Sequence, residues 1–369
     1  MAEENKPQAV TVAAACAAPV DYAKLACAAG EKKAKQNYVR MFLLAILGGA
    51  YIGVGALCSI SFAKGLPNAD VGMQRFVFGA VFPVGLILVV LTGAELVTGN
   101  FAVEFFAFLN KRITLLELLF AWFLVYFGNF LGSLGVAYFL GFLTNLYVSN
   151  PYLAAVQSMA EGKINQDFGA LVCLGIGCNW LVSLGVVLAM GARDMMSKIA
   201  IIWFPIQTFV TIGFEHCVAN MTLIPIGILY GANLTFGTFI LKNLIPVTIG
   251  NIIGAALLVA ILEWYVFGID PNAWNFDLIG RGGEPKSVEE GSSVDRSQSR
   301  DDIEDEYAPA ESADAIAAGG PMKFQKLQSS DELERARRNH KKKKSHKGKH
   351  TSSAEKPADG EEIELSDAA

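Results

Sequence analysis

The feature that most constrains this chain is a series of long stretches without a single formal charge. Met41–Ala63, Phe76–Ala94, Leu118–Phe142, Phe168–Ala192, Ile199–Phe214 and Asn243–Leu262 are each near or above the length a helix needs to cross about 30 Å of hydrocarbon. A soluble core has no use for six such segments. The 369 residues are 53% hydrophobic although the C-terminal part is almost wholly polar, so the remainder is richer still: a membrane domain, residues 41–268, with an attached tail. The fold class is therefore an all-α polytopic membrane protein.

The acidic start, Met1-Ala2-Glu3-Glu4-Asn5-Lys6, has neither the basic leader nor the apolar core of a cleaved signal, so the first span is expected to insert as itself. Residues 8–40 are Ala-rich and carry Lys24, Lys32, Lys33, Lys35 and Arg40, which predicts an amphipathic helix lying on the membrane surface within a segment 1–40. Positive charges recur at Lys111/Arg112 and Arg193/Lys198, on the side of that segment, and more thinly at Lys64, Lys163 and Lys242. The positive-inside bias then puts both termini in the cytosol, in a multi-pass protein of the plasma membrane.

Cys217–Leu241 is also free of charge, but Pro225, Gly227, Gly231, Asn233 and Gly237 punctuate it. It reads as a fifth span interrupted near 214–220, continuing briefly and followed by a loop. Residues 269–369 turn to Ser, Asp, Glu, Lys and Gly and predict a disordered cytosolic tail. Its basic run His340–His350 is a solvated block that suits anionic lipid; no nucleic-acid partner is expected. The six cysteines include no C-x-x-C pair, and no cluster of metal ligands or Ser/His or Cys/His nucleophile pattern stands out, so no cofactor and no enzyme chemistry is expected.

Internal self-similarity carries the argument further. Gly93-Ala-Glu95-Leu-Val-Thr-Gly-Asn100 in the second span and Gly213-Phe-Glu215-His-Cys-Val-Ala-Asn220 in the fifth share Gly, Glu and Asn at one offset of 120 residues. Gly128-Asn129-Phe-Leu-Gly132 and Gly250-Asn251-Ile-Ile-Gly254 echo each other at 122. The chain is thus two halves of three spans, about 41–142 and about 168–265. Three is odd, so the halves run with inverted topology, which places a solute site at the midplane between them. A glutamate there is costly unless backbone is unwound around it, so the second and fifth helices are expected to be broken, with Glu95, Glu215, Asn100 and Asn220 bonding the freed backbone. Where the first half has Leu96 the second has His216, and the other histidines lie in the tail. Symmetric residues are usually architecture, so His216, the break in symmetry, is the expected centre of the route. Gly48, Gly49, Gly53 and Gly55, with Gly128, Gly132 and Gly135, let spans one and three pack closely.

With Gly213-Phe-Glu-His-Cys-Val-Ala-Asn-Met221, Ile224-Pro-Ile-Gly227, Leu244-Ile-Pro-Val-Thr-Ile-Gly-Asn-Ile-Ile-Gly254, Leu91-Thr-Gly-Ala-Glu-Leu-Val-Thr-Gly-Asn100 and Cys178-Asn179 in view, the chain resembles the formate/nitrite transporter family over roughly residues 18–268. The resemblance implies an aquaporin-like bundle of six spans in a homopentamer, each subunit passing small monovalent anions or their acids with protons. Formate, lactate and acetate come first, with nitrite and hydrosulfide as the alternative cargo. It implies that His216 pairs with Thr98 and Asn220, that Asn179 approaches them, and that Phe82, Leu86, Val97 and Phe209 constrict the pore. Lys33 and Lys163, near opposite mouths, are expected to concentrate anions. A water or glycerol channel shares the architecture, but no Asn-Pro-Ala pair stands at the breaks.

Overall fold

The computed structural model describes residues 16–66 and 68–267. The first fifteen residues and the tail, with its basic run and its expected disorder and lipid contact, lie outside the described residues. Among the described residues ten helices follow in chain order: α1 Pro19–Ala34, α2 Tyr38–Ala63, α3 Val71–Thr92, α4 Val97–Leu109, α5 Leu115–Phe142, α6 Tyr152–Ile164, α7 Phe168–Met190, α8 Met195–Ile212, α9 Cys217–Leu229 and α10 Phe236–Phe267. Six of them, α2, α3, α5, α7, α8 and α10, are long and apolar enough to span a membrane.

Several spans begin upstream of their charge-free stretch because polar caps belong to the helix. Asn37 accepts the N–H groups of Val39 and Arg40 to start α2, Asp70 that of Met73 to start α3, and Asp194 that of Ser197 to start α8. Thr114 and Glu117 form a reciprocal capping box on α5. The sixth span differs most from expectation: α10 starts at Phe236 and includes the exposed Lys242, whose long stem lets a charge ride near a helix end.

α2 and α5 make one tight pair, α7 and α10 the other. A Cβ on Gly49 would strike the Asn129 carbonyl, and one on Gly132 the Ile46 carbonyl. On the other side Gly250 lies as close to the Val172 carbonyl and Gly254 to that of Ile176. Small residues are what let membrane helices approach this far. Gly135, expected in the same seam, has open space around it.

The helix expected on the membrane surface is present as α1, but its buried residues Ala23, Ala26, Cys27, Gly30 and Ala34 pack against the protein, chiefly α4. Gly30 makes this possible, since a Cβ there would meet the Val103 carbonyl. The smallness of that face, rather than its polarity, decides its partner. α6 packs on α9 in the matching way, with the glycine on the other partner: Gly227 lies against Ala160.

Glu104 of α4 is fully buried beside Trp122, yet neither its carboxyl oxygens nor Trp122 Nε1 meets hydrogen-bond geometry among the described residues. The position 120 residues on is Ile224. A buried polar group without a partner costs about 1–3 kcal/mol, so Glu104→Ile is expected to raise the thermal unfolding midpoint of the detergent-solubilised protein. A lower midpoint would assign Glu104 a compensating contact.

Candidate functional site

Two glycines in left-handed conformation end the first parts of the broken spans: Gly93 at φ 72° after α3 and Gly213 at φ 94° after α8. Residues with a Cβ rarely hold such backbone. Extended residues follow, Leu96 at φ −122°, ψ 118° and His216 at φ −110°, ψ 118°, before α4 and α9 begin.

Unwound backbone at this depth needs partners. It was expected to find them in Glu95, Glu215, Asn100 and Asn220; it finds them in Asn129 and Asn251. The Asn129 carboxamide accepts the Val97 N–H at 2.9 Å and donates to the carbonyls of Ala45 at 2.7 Å and Glu95 at 2.8 Å. Asn251 accepts the Cys217 N–H at 2.9 Å and donates to Gly175 and Glu215 carbonyls at 2.9 and 3.0 Å. Glu95 and Glu215 also donate their own backbone N–H to Leu44 and Leu174. A carboxamide alone suits this task, having a donor and an acceptor side. The echo of the two asparagines was visible in the sequence; their targets were not.

The glutamate side chains serve a different purpose. Glu95 accepts from Lys33 Nζ at 2.7 Å, Gln36 at 2.8 Å and Asn100 at 2.8 Å. Glu215 accepts from Lys163 Nζ at 2.8 and 2.9 Å and from Asn220 at 2.7 Å; Asn220 also donates to Asn243, which in turn donates to the Lys163 carbonyl. Lys33 and Lys163 close α1 and α6, where a cation suits the helix dipole. Their charges are ion-paired at contact distance with Glu95 and Glu215.

His216 caps α9: its Nδ1 accepts the Ala219 N–H at 3.0 Å. A backbone N–H only donates, so the neutral ring carries its proton on Nε2, 2.9 Å from Thr98 Oγ1. Phe209 stacks on the ring with centroids 6.0 Å apart. Asn179 donates to the Thr98 and Asn251 carbonyls at 3.0 and 2.8 Å. Asn220, expected beside His216, is turned to Glu215 and Asn243, though it lines the same cavity.

Two cavities approach this centre. One, about 270 Å³, is lined by Lys64, Arg75, Phe78, Lys163, Glu215 and Asn220 among others. The second, about 220 Å³, is lined by Lys33, Val90, Gly93, Asn100, Val186 and Lys198 among others. Between them lies a space of about 10 Å³ lined by Ile52, Phe82, Leu86, Leu96, Val182, Ile206, Phe209 and His216, at the lower limit for holding one water. It shares Phe82, Phe209 and His216 with the first cavity and Leu86 and Leu96 with the second. Of the four expected constricting residues, Val97 is buried and lines none of these spaces; Leu96 does. The helix starts at Val97, where backbone bonding to Asn129 fixes the register.

A family model described as formate/nitrite transporter matches residues 20–265. The chain belongs to the formate/nitrite transporter family. It is therefore a multi-pass membrane protein of a family of transporters and channels. It is 44% identical over 249 residues to the uncharacterized transporter YrhG of Bacillus subtilis (strain 168), covering 68% of this chain and 93% of that protein. It is 43% identical over 238 residues to the formate channel BtFdhC of Bacillus thuringiensis, covering 64% and 91%. A solved pentameric formate channel with formate bound aligns at 32% identity with TM-score 0.56, covering 62% of this chain and 97% of that one.

Removing Asn129 leaves one N–H and two carbonyls unpaired, at about 1–3 kcal/mol each. Asn129→Leu and Asn251→Leu are both expected to abolish recovery of folded protein by size-exclusion chromatography, whereas Trp122→Phe is expected to leave it unchanged. Lys163→Met alone is expected to cost about 3–5 kcal/mol by stranding Glu215, and the double variant Lys163→Met/Glu215→Gln to regain most of that, read as thermal midpoints.

Proposed function

We propose that this chain carries small monovalent anions, formate foremost, across the membrane as the neutral acid, so that each anion moves with a proton. The observation that carries this reading is an apolar neck between two cation-lined vestibules whose one polar lining side chain is His216, itself bonded to the buried Thr98 behind it. Taking a carboxylate from water into such a medium costs on the order of 20 kcal/mol in the idealised limit and several after relaxation. Protonating it first is cheaper. A carboxylic acid of pKa about 3.9 at pH 7 lies roughly 3 units uphill, about 4 kcal/mol.

In this mechanism the vestibules collect the anion, the rings of Phe82, Phe209, Leu86 and Leu96 admit the neutral form, and His216, held by Thr98, is the polar group at the waist. The Nε2–H of His216 reaches the buried Thr98 Oγ1, which orients the ring at the edge of the neck. The same route admits lactate, acetate, nitrite or hydrosulfide according to neck width. The relatives named as formate channels favour formate. The similarity to a pentameric formate channel supports a homopentamer here, and the two matching breaks support halves of inverted topology. The grouping of Arg112 with Glu31, and of Lys33 with Lys198 on one cavity, supports a single basic face, which we assign to the cytosol, with both termini there and the protein in the plasma membrane. The tail's basic run would then meet anionic lipid of that leaflet.

Labelled formate flux into proteoliposomes is expected to follow an imposed pH gradient and to ignore a potassium diffusion potential. Flux driven by voltage and indifferent to the pH gradient would overturn the neutral-acid mechanism. His216→Ala is expected to lower formate flux at least tenfold with elution unchanged and the thermal midpoint lowered by the lost helix cap, about 1 kcal/mol; full activity would remove the residue from the pathway.

A further inference from the structure

Lys33 and Lys163 are consumed by Glu95 and Glu215, so the work of gathering anions falls to other cations. Three more line the vestibules: Lys64 and Arg75 on the first cavity, Lys198 on the second. Arg75 is exposed and Lys198 half-buried, and neither side chain makes an ion pair or hydrogen bond among the described residues. Lys64 has one long contact, 3.5 Å to Gln74.

Arg75 and Lys198 occupy similar places at the two mouths, although the 120-residue repeat itself sets Met195 opposite Arg75. Each stands about one turn into a broken span, after an aspartate whose side chain caps the helix: Asp70 on the Met73 N–H at 2.7 Å, Asp194 on the Ser197 N–H at 2.9 Å. A cation early in a helix opposes the helix dipole. Residues that cost stability, lack a partner and recur at both mouths call for a role outside the fold.

We propose that Arg75, assisted by Lys64, and Lys198 are the anion-capture residues of the two vestibules, and that Lys33 and Lys163 are positioning residues that hold the Glu95 and Glu215 side chains. This rests on the reading of the pore as an anion path and names the side chains that set its apparent affinity. The two mouths are unequal: the first has two cations without an acidic partner and the second has one. Capture is stronger from the first side.

Saturation curves for labelled formate, taken from each side in right-side-out and inverted vesicles holding the full chain, test the assignment. Arg75→Gln is expected to raise the half-saturating concentration roughly three- to tenfold for entry through its own vestibule, with the plateau rate unchanged, and Lys198→Gln to do so for the other side. Arg75→Lys is expected to stay near the parent. In about 1 M salt, where the screening length is about 3 Å, the differences are expected to collapse. Unchanged half-saturation in both Gln variants at low salt would overturn the proposal. So would a rise confined to Lys33→Gln and Lys163→Gln with assembly and thermal midpoint intact. If the transport reading itself is wrong, the parent shows no saturable formate flux from either side, and both readings fall.

Discussion

Everything at the centre of this molecule depends on satisfying backbone that is not helical at mid-membrane depth. Each interruption frees N–H and C=O groups that lipid cannot bond and that water reaches poorly, and each unpaired group costs a substantial part of a domain's net stability. One asparagine per half meets this demand from a neighbouring helix. Only with the breaks secured can α4 and α9 begin where they do and bring Thr98 and His216 within 2.9 Å.

The scaffold is repeated, whereas the centre consists of departures from the repeat. His216 stands where the other half has Leu96, Thr98 where it has Val218, and, with Leu44 and Leu174 matched as acceptors of the two glutamate N–H groups, Asn179 where it has Gly49. Comparison of the halves finds Leu96/His216 at once because the change is from apolar to titratable. The other two were harder to weigh, since threonine, valine, glycine and asparagine all occur freely in packed membrane helices.

Hydropathy made the spans legible, and the Gly-x-Glu repeat made the breaks legible, because both signals are local. The partners were not legible. Lys33 meets Glu95 across 62 residues and Lys163 meets Glu215 across 52, and nothing in the order of residues distinguishes an ion-paired vestibule lysine from a free one. The role of Leu96 rather than Val97 in the neck turned on a single residue of register, fixed by the Asn129 bond to the Val97 N–H. The docking of α1 on protein turned on Gly30, one position in an Ala-rich stretch that also fits a surface helix. The start of α10 was hidden by Lys242, a charge that hydropathy penalises and a helix end tolerates.

Hydrogen bonds also stitch the halves to each other. Thr98 meets His216, Asn179 holds the Thr98 carbonyl, Tyr126 meets Thr248 at 2.9 Å, Thr222 donates to Ser133 at 3.2 Å, and Trp203 donates to Ala80 at 3.0 Å. Rocking one half against the other, as an alternating-access carrier does, would part these bonds in a medium with nothing to replace them. The two halves are therefore tied at the waist on both sides of the His216–Thr98 contact, and neither can move there without the other.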